Sequence, residues 1–275
     1  MEETPNNGWA GQFYPVTLAL LRMVAGLLFW QHGAQKLFGW FGGTVVPPFS
    51  LFWFAGVLEF IGAPFLMVGL FTQPVAFFLS GEMAVAFFTQ HLPKGFWPIA
   101  NQGEPAALFC FIFLLLATAG PGAFSLDGLL ARRAAGRQDW LSQRLSQFYP
   151  VALPILRLMT GLLFWQHGAT KLFGLLGGRP VPFPQLRWFA GVLEFFGSPL
   201  IALGALTRPL AFILAGEMAT AFWTSHFPRG FEGQGFWPIQ NAGEPAVLFC
   251  FIYLFLVTAG PGRLSVAGLL SRKSL

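Results

Sequence analysis

The chain has 275 residues, of which 55% are hydrophobic and only 10% charged, with a net charge of +5. A soluble domain carries roughly a quarter of its residues as charge, so this composition excludes an ordinary globular protein and calls for lipid around the fold. The bases form no long stripe interleaved with aromatics, which excludes nucleic acid as a partner, and the two cysteines, Cys110 and Cys250, sit in apolar runs and offer neither a disulfide framework nor a Cys-x-x-Cys redox pair.

The N-terminus, Met1 to Asn7, is acidic and lacks the basic region of a secretory signal, so no cleaved peptide is expected and the first apolar stretch should persist as a helix. Hydropathy predicts spans at about 14–38, 50–71, 74–90 and 105–119. The last two are short against the roughly 17–25 residues of a membrane-crossing helix and should borrow flanking residues. Pro74 suits a first helical turn, and Gly120-Pro121-Gly122 should end the fourth helix sharply.

A basic stretch, Arg132, Arg133, Arg137 and Arg144, follows. The pattern then starts again: Gly26 to Ala34, GLLFWQHGA, recurs as Gly161 to Ala169, and Trp53 to Phe60 recurs from Trp188 to Phe195. Gly81-Glu82-Met83-Ala84 recurs from Gly216, and Phe96 to Ile99 recurs from Phe236 after a short insertion. Internal duplication of this kind decides the architecture before any single residue does. Second-copy spans are predicted near 149–173, 185–206, 209–225 and 245–259. The expected fold class is an all-α integral membrane protein of two parallel four-helix transmembrane bundles, with eight spans in total. Its parts are a first module at 1–122, an Arg-rich cytoplasmic linker at 123–147 and a second module at 148–275.

An even number of spans per copy puts both termini and the linker on one side, and the linker arginines with Arg272 and Lys273 make that side the cytoplasm. Lys36, Lys94, Arg179, Arg187 and Arg229, on the opposite loops, count against this orientation. Parallel copies imply a pseudo-twofold axis along the membrane normal, as in a fused homodimer.

Ionisable side chains within spans are costly and by default mark function or a compensating partner. Arg22, Glu59 and Glu82 recur as Arg157, Glu194 and Glu217. At 1.5 Å per residue Arg22 and Glu82 lie at similar depth, roughly 12 Å from one end of their helices, so an Arg22–Glu82 pair with Glu59 in reach is expected. One Arg against two Glu leaves a carboxyl without a cation, which makes Glu59 or Glu82 a candidate for proton exchange. The plain alternative is an ion pair that pins helices together.

His32 and Lys36, four residues apart, share a face that continues outward from Arg22, with Gly26 and Gly33 permitting close helix approach. His167 and Lys171 repeat the strip. Glu104 and Glu244 open the fourth spans, where with Asn101 they either cap the helix or line an outward mouth. His91 points away from Glu82 on an ideal helix and joins the site only if its turn unwinds before Pro93. Haem between His32 and His91 would need rings at matched depth, and no Cys-x-x-Cys-His motif is present, so neither haem nor any covalent cofactor is expected. No zinc signature, phosphate loop or nucleophile elbow occurs, and no metal site is assigned.

These residues together, Arg22, Gly26 to Phe29, His32-Gly33, Lys36 to Gly39, Gly56-x-x-Glu59 and Gly81-Glu82-Met83, resemble the DoxX family of small four-helix bacterial membrane proteins. The second copy repeats the pattern at Arg157, His167-Gly168, Lys171 to Gly174, Glu194 and Glu217. That resemblance implies a bacterial inner-membrane location among lipids, and association with membrane redox work, including a subunit of a thiosulfate-oxidising, quinone-reducing enzyme and partners of thiol-stress proteins. This chain departs from it in being duplicated, and the family offers no agreed catalytic residues to carry over. Three functions stay open. One is a redox-linked subunit of a membrane oxidoreductase complex whose polar strip handles a quinone headgroup or protons. The others are a non-catalytic scaffold subunit with structural charges, and a transporter of small molecules or lipids.

Overall fold

The computed structural model describes residues 9–133 and 140–272; the N-terminal stretch from Met1 to Asn7, Arg137 of the basic linker and Lys273 lie outside the described residues. Eleven elements matter here. The first copy contributes α1 (Tyr14–Phe38), α2 (Leu51–Val68), α3 (Thr72–Ala86) and α4 (Glu104–Ala119), followed by the short α5 (Leu126–Arg133) and α6 (Trp140–Ser146). The second contributes α7 (Tyr149–Phe173), α8 (Leu186–Leu203), α9 (Thr207–Ala221), α10 (Glu244–Ala259) and α11 (Val266–Arg272). No strand occurs among the described residues, so the fold is all-helical.

Local chemistry sets the helix ends. Pro15 and Pro150 occupy first turns, where a missing N–H costs nothing. Ser50 Oγ accepts a 3.2 Å hydrogen bond from the Trp53 N–H and starts α2. Gly39, Gly69 and their counterparts Gly174 and Gly204 end their helices at positive φ. Asp127, on α5, folds back and accepts 2.9 Å bonds from the Phe71 and Thr72 N–H groups at the start of α3, where a helix N-terminus favours an anion. Ala267 holds that place in the second copy.

Within each copy α1 lies along α2 and α3 along α4, and α7–α8 and α9–α10 repeat this. Between copies α1 packs on α10 and α7 on α4, so a central layer of α1, α4, α7 and α10 is flanked by the remaining pairs. Tyr14 Oη donates to Tyr149 Oη at 3.0 Å. A residue that touches its own counterpart lies on the symmetry axis. At the opposite end, Pro98, Ile99, Glu104 and Pro105 face Pro238, Ile239, Glu244 and Pro245 around a cavity of about 330 Å³. The pseudo-twofold axis therefore runs lengthwise through the central layer, and the copies are parallel.

The core is the inside of that layer, with Phe109, Ile112, Phe113, Leu116, Ile252, Phe255 and Leu256 at 0–1% exposure. Large apolar side chains also cover the outside, among them Phe52, Phe54, Ile61, Phe77 and Phe78. Exposed apolar surface on this scale needs lipid. Among the described residues, four helices are long and apolar enough to cross a membrane, or five if Trp140–Ser146 and Tyr149–Phe173, bent by 51°, act as one span. Glu104–Ala119 and Glu244–Ala259 have 16 residues each, roughly 24 Å at helical rise against a hydrocarbon core of about 30 Å.

Helices approach closely at the α1–α2 seam and at its counterpart α7–α8. A Cβ added to Gly33 would stand 2.5 Å from Phe60 N, and one added to Gly168 would stand 2.4 Å from Phe195 N. Both clashes are with backbone, which cannot swing aside. Gly33→Ala and Gly168→Ala should each lower the melting temperature of the detergent-solubilised protein, by the equivalent of about 1–3 kcal/mol of overpacking. Gly81→Ala, with open space around it, should leave it unchanged.

Candidate functional site

Arg22 and Arg157 are buried, but neither meets the carboxylate expected of it. Arg22 donates from Nη1 to Leu66 O at 3.1 Å and from Nη2 to Phe124 O at 2.5 Å. Arg157 likewise donates to Pro261 O and, at 2.7 Å, to Leu264 O. The expected Arg22–Glu82 and Arg157–Glu217 pairs are thus corrected. Depth along a helix says nothing of direction: the guanidinium turns toward the closing turn of α2, whose free carbonyls attract a cation, and Gly69 leaves room for it.

Lysine takes the place assigned to arginine. Lys36 Nζ forms an ion pair with Glu59 Oε1, and Lys171 forms the same pair with Glu194. Glu59 is 1% exposed and Glu194 fully buried. The long lysine stem lets a charge at the helix end reach back into the bundle. Glu82 faces Glu59 and Lys36, and Glu217 faces Glu194 and Lys171. Neither Glu82 nor Glu217 has a hydrogen-bond partner at either carboxyl oxygen.

The histidines reach across the copies. His32 Nε2 lies 2.8 and 3.0 Å from the two carboxyl oxygens of Glu244, and His167 Nε2 lies at the same distances from Glu104. Against an ionised carboxylate, which only accepts, Nε2 is the ring nitrogen that donates. Glu104 and Glu244 are at 6% and 5% exposure, each in the first turn of its helix, where the dipole supports a negative charge. Neither caps its own helix by a side-chain bond; both line the axial cavity. Gln166 Oε1 adds a further bridge between copies by accepting from the Ile99 N–H at 3.2 Å.

Around the first copy's polar groups lies a cavity of about 920 Å³. Its floor is α1 and α4, through Phe29, His32, Lys36, Ala106 and Phe109, and its walls are α2 and α3. Its rim residues Phe52, Phe54, Phe77 and Phe78 are 47–67% exposed, so it opens sideways on the apolar flank. His91 belongs to it. The turn Phe87–His91 is a π-helix, whose extra residue per turn rotates His91 onto the cavity wall with Glu82. The unwinding on which His91 depended is therefore present, as a widened turn, and it recurs at Phe222–His226. His91 Nδ1 is 3.2 Å from Asn101 O, and Asn101 is held by its own bonds to Gly95 O and the Gly103 N–H.

Of the polar residues read from the sequence, Glu59, Glu82, His32 and Lys36 come together in the first copy, with Glu244 from the second; Arg22 stands apart, one helix end away. The set is mirrored by Glu194, Glu217, His167, Lys171 and Glu104, with Arg157 apart. The cross-copy partners were beyond reach of a reading confined to one module.

The DoxX family model matches the chain twice, over residues 17–92 and 152–227. An uncharacterized protein of Haemophilus influenzae is 42% identical over 125 residues, which is 42% of this chain and 92% of the relative. The uncharacterized membrane protein Rv3486 of Mycobacterium tuberculosis is 32% identical over 138 residues, 46% of this chain and 85% of the relative. The inner membrane protein YphA of Escherichia coli is 31% identical over 134 residues, 42% and 92% of the respective chains. Each of these relatives is thus about one module long. No solved structure matches the chain.

The crossed pairs predict a specific coupling. In a double-mutant cycle on thermal or denaturant unfolding in detergent, His32→Asn and Glu244→Gln should show an interaction energy of roughly 0.5–3 kcal/mol. The cycle of His32→Asn with Glu104→Gln, the carboxylate of its own copy, should be additive.

Proposed function

The chain belongs to the DoxX family, with two copies of the family's module in one polypeptide, and on that footing we propose that it is the quinone-binding, proton-handling component of a membrane oxidoreductase system. The observation that carries this reading is the sideways-opening cavity of about 920 Å³ between α2 and α3. A lipid-soluble ring diffusing in the bilayer reaches such a site without crossing water. Its walls are apolar and aromatic, and a few convergent polar groups stand at the inner end, the composition that small-molecule sites share.

The polar groups fit the two oxygens of a quinone. The Lys36 ammonium, with N–H donors beyond the one given to Glu59, suits a carbonyl or a developing oxyanion. Glu82, with both oxygens buried and unbonded, is placed to exchange a proton with the ring oxygen. Reduction of a quinone to its quinol takes two electrons and two protons. In this reading the electrons come from a partner oxidoreductase subunit, and this chain supplies the seat and the proton-exchanging carboxyl. The alternating file of Glu82, Glu59 with Lys36, and His32 with Glu244 then leads from the cavity to the axial vestibule.

The proposal includes the transmembrane arrangement: eight crossings in two parallel four-helix bundles in a bacterial inner membrane, with the termini and the Arg-rich linker in the cytoplasm. The parallel packing supports it. So does the burial of α4 and α10 within the central layer, where 16 residues suffice because neighbouring helices rather than lipid surround their ends.

A photoreactive short-chain quinone should bind the purified protein saturably and label peptides within residues 51–59 and 77–91. Glu82→Gln should weaken binding at least tenfold without lowering the melting temperature. A wild-type protein that shows no saturable quinone binding overturns the reading. For the topology, reporter fusions in the linker or after Leu275 should report the cytoplasm, and insertions at 43–46 or 231–235 the opposite side; a C-terminal fusion reporting the outside would reverse it.

A further inference from the structure

Copy on copy, three buried apolar positions of the first module return with hydroxyls in the second, while Ser80 of the first, which donates to Cys110 O, returns as Ala215. Ala25, Ala63 and Phe113 of the first are at 0% exposure. Their counterparts are Thr160, Ser198 and Tyr253, at 1%, 0% and 0%. Each exchange adds a hydroxyl where the other copy fills the same place with hydrocarbon alone. None of the three hydroxyls makes a hydrogen bond of normal geometry in the protein, although those of Tyr253 and Ser198 interact with each other. A buried hydroxyl in that state destabilises a fold, and the apolar alternative is present in the same chain.

Ser198 and Tyr253 lie together, and Thr160 is on the turn of α7 that packs beside them. Ser198 stands one turn beyond Glu194 on α8, and its carbonyl lies against Gly161, the residue after Thr160, at 2.7 Å from where a Cβ would be. Thr160 is one turn before Phe164 on α7, and the Phe164 ring meets Tyr253 at 5.3 Å. The Tyr253 hydroxyl has Ser198, Glu217 and Glu194 around it. Glu194 Oε2 and both oxygens of Glu217 are also buried and without partners. Hydroxyls and carboxyls are thus gathered in one place without bonds of normal geometry among them.

Water is the ligand that suits this chemistry. A buried water takes two to four hydrogen bonds from otherwise unsatisfied polar groups, whereas an apolar cavity stays dry. We propose that the second module encloses an ordered-water site, held by Thr160, Ser198 and Tyr253, that bridges to Glu194 and Glu217 and relays protons to Glu217. The first module, with Ala25, Ala63 and Phe113, keeps the carboxyls but lacks this site. The two copies would then divide the work, one offering the sideways cavity and the other a hydrated proton store. This inference does not depend on which ligand the cavity of the first module takes.

The test is the triple variant Thr160→Ala, Ser198→Ala, Tyr253→Phe in the full chain, which restores residues that the first module already packs. A map of the wild type fine enough to show ordered water should place density within hydrogen-bonding distance of at least two of the three hydroxyls, and none beside Ala25, Ala63 or Phe113. Infrared hydrogen–deuterium exchange of the carboxyl bands, assigned with Glu217→Gln and Glu82→Gln, should slow at least tenfold at Glu217 in the triple variant and stay unchanged at Glu82. Dry hydroxyls in the wild-type map, or a Glu217 band that exchanges at its wild-type rate in the folded triple variant, would overturn the proposal.

Discussion

The contact on which the rest of this structure depends is a histidine of one copy holding the carboxylate of the other. His32 with Glu244, and His167 with Glu104, fix how α1 sits on α10 and how α7 sits on α4. Each pair stands where a helix of one module begins and a helix of the other ends. A carboxylate in the first turn of a buried helix is supported by the dipole from below and by the imidazole from across the seam. The two modules are thereby interlocked rather than laid side by side, and each polar site contains a residue it did not encode. Once this frame is set, Tyr14 and Tyr149 close the far end of the axis, and the flanking pairs α2–α3 and α8–α9 are left to face lipid.

Charge inside such a fold has to be matched locally, because an ion taken from water costs several kcal/mol before any partner repays it. The molecule uses three different solutions in layers. The arginines are satisfied by carbonyls at helix ends, the lysines reach back to Glu59 and Glu194, and the histidines reach across to Glu244 and Glu104. Glu82 and Glu217 receive none of these. They are the two carboxyls for which packing offers no reason, which is why the functional argument falls on them and not on the better-bonded groups beside them.

Much of this was legible in the sequence. The duplication, the helix ends at Gly39 and Gly120, the prolines in first turns and the close approach at Gly33 and Gly168 follow from local chemistry that tertiary structure did not override. The polar residues were found by their cost. Their partners were not, for separate reasons. Arg22 and Glu82 share a depth but not a direction, and helical rise encodes only depth. Lys36, near a helix end, read as an outward residue because the length of its side chain allows it to point back. His91 depended on a π-turn, and Pro93 signals that the helix is ending there but not that the turn before it widens by a residue. The Glu244 partner of His32 lies in the other copy, where periodicity within one module cannot point.

The differences between the copies carried as much information as their identities. Matching GLLFWQHGA to its repeat reveals the architecture; Ala25, Ala63 and Phe113, which return as Thr160, Ser198 and Tyr253, are the positions on which the proposed water site rests. Two identical chains related by a twofold axis must have identical sites, because every substitution appears twice. Fusing the modules removes that constraint while the crossed His–Glu pairs preserve the interface. With the seam held constant, each half of the fused chain is free to change its interior independently of the other. Asp127 against Ala267, and Gln73 against Arg208, show the same freedom at the opposite end of the helices. There Arg208 Nη1 donates to the carbonyls of Val257 and Thr258 at 2.8 and 3.1 Å, while Gln73 donates to Ala117 O at 3.0 Å, so the same helix terminus is satisfied by a charge in one copy and by a neutral amide in the other.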